Sequence, residues 1–136
     1  MSDTKCVLVI DETLPLGLIA NATAFLALTL GQRLDTVLGP DVADSAGNIH
    51  QGISTLPIPI LRGTAEQIKA IRAAALENNE LVTVEFSNAA HSSLTYDDYQ
   101  AKLTTMPVED LTFLGVALYG PKRAINKLTG ALALLR

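Results

Sequence analysis

Between Lys5 and Gln32 the chain passes from a solid apolar run to a long stretch without charge. Cys6 to Ile10 reads Cys-Val-Leu-Val-Ile, Asp11-Glu12 ends it, and no charged residue occurs from Thr13 to Gln32. An apolar run without alternation, rich in β-branched residues, is the signature of a strand buried on both faces of a sheet. Pro15 suits the first turn of a helix, where its missing N–H has no intrahelical partner. The spacing predicts a helix over Leu16 to Leu30 that stops at Gly31 as a left-handed cap. Its apolar residues go most of the way round, so a second element or a second subunit is expected to cover it.

The remainder is read against that strand and helix. Two short segments around the turn cluster Asp44-Ser-Ala-Gly-Asn48 are expected to pair as a hairpin, with Val42 on one side and Ile49 on the other. Pro57 and Pro59 make Leu56 to Leu61 extended and suit an edge strand. Thr64 with Gln67 forms a capping-box pattern ahead of the apolar stripe Ile68, Ile71, Ala75 and Leu76. Leu81 to Phe86 and Leu111 to Tyr119 read as strands. Ser87 to Ser93 reads as a polar loop, and Thr95 to Leu103 as a short helix with acidic residues at its start. A final helix opens after Gly120-Pro121, and the tail Leu132, Leu134 and Leu135 is too apolar to float free. The alternation predicts an α/β sandwich, with helices on both faces of a mainly parallel sheet and residues 1–136 as a single domain.

Composition narrows the function. Hydrophobic residues make up 49% of the 136 residues, charged residues 18%, and the net charge is −4. That balance argues against a broad nucleic-acid footprint, leaving Lys122, Arg123 and Lys127 as the one basic cluster. Pro15, Gly17 and Asn21 interrupt the uncharged run, so no membrane span is expected. Met1 to Lys5 lacks the basic region of a secretory signal, and a cytoplasmic protein is the expectation. The single cysteine, Cys6, is expected to be an inert core thiol. His50 and His91 have no ligand spacing, Leu14 to Gly17 is no phosphate loop, and neither metal nor cofactor is expected.

Two stretches resemble a known family. Lys5 to Ile10 followed by Leu14-Pro-Leu-Gly-Leu-Ile-Ala20 is similar to the opening of type 2 peptidyl-tRNA hydrolases. Leu114-Gly-Val-Ala-Leu-Tyr-Gly-Pro121, with Ile125-Asn-Lys-Leu-Thr-Gly-Ala-Leu132, is similar to their close. More narrowly, the chain resembles a bacterial family of unknown function with that fold. The resemblance implies a three-layer α/β/α sandwich around a mixed four-stranded sheet with one antiparallel strand, assembled as a homodimer; the hairpin falls outside it. The family's activity is not implied. The lysine after the turn glycine is replaced by Leu18, the helix glutamine and histidine by Ala22 and Phe25, and the loop aspartate by Asn88. An amide cannot serve as a general base.

By topology Asp11, Gly17, Asn21, Asn88, His91 and Ser92 converge on the strand ends, where ligands of α/β sheets usually bind. Singly, each is better explained by caps and side-chain turns. Together they outline a polar pocket, in a homodimer contacting through the first helix and binding a small ligand or a protein. The alternative is a hydrolase of peptidyl or ester bonds built on Asp11, His91 and Ser92.

Overall fold

The computed structural model describes residues 3–136. Strand β1 (Thr4–Asp11) lies inside a sheet of order β4-β1-β6-β5, with β4 at Ile60–Gly63, β5 at Val82–Ser87 and β6 at Phe113–Pro121. Val7, Leu8, Val9 and Ile10 have no exposed surface, as an unalternating run requires. Helix α1 (Leu16–Gln32) covers one face. There Ala22, Leu26 and Leu30 pack on Leu8, Ile10 and Phe86. Helices α2 (Ala65–Leu76) and α5 (Lys122–Thr129) cover the other face, where Ile68, Ile71 and Ile125 meet Val7, Val9 and Val116. The layers are therefore helix, sheet, helix.

The sheet is less parallel than alternation suggests. β1 and β4 pair in parallel, but β6 runs against both β1 and β5. Because β6 lies between those two strands, antiparallel ladders outnumber parallel ones. The register of β5 on β6 shifts between Phe86 and Ser87, leaving Leu114 as the extra residue of a bulge. Beside it, a Cβ on Gly115 would lie 2.7 Å from Ile10 Cδ1 and 2.9 Å from Leu26 Cδ1. Glycine is what lets α1 settle there.

Local chemistry accounts for most boundaries. Thr64 and Gln67 form the reciprocal capping box that starts α2. Thr95 Oγ1 accepts from Asp98 N to start α4 (Tyr96–Thr105). The hairpin is present as β2 (Val42–Ala43) and β3 (Ile49–His50), with Gly47 at φ +88°. Its turn is held by Asp44, whose carboxylate accepts from Ala46 N and Asn48 N and meets His50 Nε2 at 2.9 Å. These contacts, the one to His50 foremost, lower the Asp44 pKa to about 2. The apolar tail closes the β4 edge, with Arg62 N donating to Ala133 O at 2.9 Å and Leu135 N to Ile60 O at 2.8 Å.

Two local expectations need correction, the end of α1 and the loop after β5. α1 runs past Gly31 to Gln32 without a left-handed residue, because Arg33 N donates back to the Gly31 and Leu30 carbonyls in a helical geometry. Within this chain α1 is covered on one side only, leaving Leu16 and Leu28 about four-fifths exposed (82% and 79%). The segment after β5 is not all loop: Asn88–His91 is one helical turn, α3, capped by Ser87 Oγ accepting from Ala90 N.

Candidate functional site

Since β6 opposes β1, β4 and β5, the C-terminal ends of those three strands share one edge of the sheet. Asp11 and Asn88 lie there, separated by β6. Asp11 is buried, and its Oδ1 accepts from Thr13 N at 2.9 Å and Thr13 Oγ1 at 2.7 Å, fixing the turn into α1. Asn88 ties the end of β5 to the start of β6. Its Oδ1 accepts from Thr112 N at 3.0 Å, while its Nδ2 donates to Asp110 O at 3.4 Å. Gly17 and Asn21 are exposed on α1, and nothing lies within 4 Å of a Cβ built on Gly17. His91 is exposed at the end of α3, its ring edge-on to Phe86 with centroids 6.4 Å apart. Lys102 Nζ donates to Ser92 O at 2.6 Å and Ser92 Oγ at 3.2 Å.

A wide concavity lies beside these residues. It is a groove of about 490 Å³ along the outer edge of β5. Thr83, Val84, Glu85 and Phe86 form its floor; Phe25 and Thr29 of α1, with Arg33 just past its end, form one wall. The other wall is Ala90 of α3, the connection Ser93 to Thr95, and Tyr96 and Tyr99 of α4. Val84 and Phe86 point to the α1 face, whereas Thr83 and Glu85 alternate to the other, so the groove straddles the sheet edge.

Aromatic packing shapes the walls. Phe25 stacks on Phe86 at 4.6 Å, and Tyr96 meets Tyr99 edge-on at 5.4 Å. Burial, then the nearby Glu85 and Tyr96, raise the Tyr99 pKa, so it stays a neutral phenol. Glu85 is ion-paired with Arg72, whose guanidinium sits 4.4 Å over the Phe113 ring. Among the described residues Arg33 has no such partner; its guanidinium reaches Thr29 O at 3.4 Å. Arg33 is therefore, among the described residues, the unpaired charge of a groove lined by aromatic rings together with the hydroxyls of Thr29, Thr83, Ser93 and Thr95. Thr83 Oγ1 is buried and finds no hydrogen-bond partner among the described residues.

None of the six strand-end residues lines this groove, although His91 and Ser92 adjoin it through Phe86, Ala90 and Ser93. Sequence reasoning passed over Phe25, Arg33, Thr83, Tyr96 and Tyr99. The usable signals were the alternation in Thr83-Val-Glu-Phe86, which is that of a strand with two different faces, and the Tyr96/Tyr99 spacing on one side of a helix. Among the described residues no cluster of His, Cys, Asp or Glu suits a metal ion, and no helix is long and apolar enough to cross a membrane.

Residues 4–136 match a family described as a protein of unknown function, DUF2000. The chain belongs to that family. A solved structure of a protein of unknown function from Agrobacterium tumefaciens is similar, with 22% identity, 98% of each chain covered and a TM-score of 0.88. At that identity the likeness concerns the DUF2000 fold alone. No curated protein matches the chain.

Proposed function

We propose that this DUF2000 protein is a binding protein, not a hydrolase, and that its ligand occupies the groove between α1, β5 and α4. The observation carrying this is the composition of the groove, in which Phe86 of the floor and Phe25, Tyr96 and Tyr99 of the walls lie beside Arg33. An apolar cleft with a few polar groups is the usual form of a small-ligand site. His91 and Ser92 are read as its polar end, with Asp11, Asn21 and Asn88 set behind them along the strand-end edge.

The relation to the type 2 peptidyl-tRNA hydrolases belongs to this proposal. The mixed sheet with one reversed strand supports it, and the missing lysine, glutamine, histidine and aspartate support a lost activity. A rearranged hydrolase on Asp11, His91 and Ser92 has less behind it. One Asp11 oxygen is engaged by Thr13, and an ammonium, not a base, reaches the Ser92 hydroxyl. We further read the uncharged outer face of α1, with Leu16 and Leu28 exposed, as the contact of a homodimer.

A thermal-shift screen of small carboxylates and aromatic acids tests the groove, since whatever binds the native state raises its midpoint. Positive compounds should lose their effect in Tyr96→Ala, which alters an exposed wall residue. A screen without any shift, or shifts identical in Tyr96→Ala, overturns the reading.

A further inference from the structure

We infer that the groove takes an extended peptide, added antiparallel to β5 as a fifth strand, with a free C-terminal carboxylate at Arg33. This rests on the groove reading above and names its ligand class.

The backbone directions follow from the register. Leu8 N donates to Pro59 O, so Leu8 faces β4 and its neighbours Val7 and Val9 face β6. Their partners Leu118 and Val116 therefore face β1, while Ala117 and Gly115 face β5. Ala117 pairs with Val84 and Gly115 with Phe86, which leaves the N–H and C=O of Thr83 and Glu85 directed outward, into the groove. Neither residue has a backbone partner on that side among the described residues. Strand addition supplies such partners. The opposite edge shows the same solution within the chain, where residues 133 to 135 bond alongside β4.

Shape and charge choose the occupant. With β5 as floor and α1 and the α3–α4 connection as walls, the edge is recessed, so a slender strand fits where a second sheet would meet the walls. Phe25 stacks on Phe86, and Arg33 lies two helical turns further along α1, about 12 Å. Three residues back along β5, about 10 Å, bring the floor to Thr83, at the end of the groove that Arg33 also lines. An antiparallel peptide ends at that side. Its carboxylate would meet Arg33, the groove charge left unpaired among the described residues, with Glu85 held by Arg72.

The test uses an immobilised library of hexapeptides with apolar residues at alternate positions, ending either in a free carboxylate or in a carboxamide. The carboxylate series should capture the protein at least about tenfold better. Arg33→Gln should bring the two series level. In hydrogen exchange, the Thr83 and Glu85 amides should exchange quickly in the free protein and become protected with peptide bound. N-methylation of alternate peptide amides should abolish capture in one phase and not the other. Equal capture of both series, or unchanged exchange at Thr83 and Glu85, overturns the inference. So does protection that grows with protein concentration alone, which would place a second copy on the edge. Small-molecule shifts lost in Tyr96→Ala, without peptide capture, leave the groove reading standing and remove only the strand.

Discussion

Asn88 shows how a residue chosen for chemistry can be explained by architecture. Its position after a strand suggested a pocket, and its side chain bridges Asp110 O and Thr112 N. Those bonds hold the entry of β6 against the exit of β5. Asn88→Ala should therefore cost about 1–2 kcal/mol in chemical denaturation, and leave ligand-induced thermal shifts of the folded protein in place. Thr83 is the reverse case. Its hydroxyl is buried and unpartnered, so the folded state bears a desolvation cost without a compensating bond. Thr83→Val, which keeps the branched shape, should raise stability by about 1 kcal/mol in the same assay; a loss would mean that the hydroxyl finds a partner in solution.

At the scale of elements, caps and turns were the most legible features. The Thr64/Gln67 box, the hairpin about Asp44 to Asn48 and the edge position of the proline-preceded strand depend on neighbours a few residues away. The hairpin also has a defined pH response. Asp44 has its pKa lowered from 3.8 to about 2, so its contribution is complete above about pH 5 and disappears as pH falls through 2. NMR of the Gly47 and Asn48 amides should show the turn intact at pH 5 and loosening below pH 3. Asp44→Asn should flatten that dependence. The extent of α1 was harder to place. Gly31 resembled a stop, but with the backbone still helical and nothing forcing a left-handed turn, the helix continues to Gln32.

For the whole molecule, the exposed side of α1 is the feature most in need of a partner. Leu28 is 79% exposed on a helix whose other side seals the core. If that face joins two copies, sedimentation should show a dimer that Leu28→Glu dissociates while near-ultraviolet circular dichroism is kept. A monomeric wild-type protein at about 100 μM would set the dimer reading aside. The two sheet edges differ in kind. The β4 edge is closed by the tail, whereas the β5 edge opens into the groove. An open edge is normally a liability, and here the walls of α1 and α4 shelter it.

The sequence by itself determined the buried central strand, the succession of strands and helices, and most caps, because those depend on apolar periodicity and on contacts within a turn or two. It also carried the resemblance of its opening and close to the type 2 peptidyl-tRNA hydrolases, an expectation kept within the proposed function. Only the tertiary structure decided that β6 enters reversed between β1 and β5, which places β5 at an edge. That choice depends on how distant strands share one core, and no local pattern records it. The same choice forms the groove at the side of β5 that we propose as the binding site. There, residues from α1, β5 and α4, far apart in the chain, meet around a backbone still able to bond.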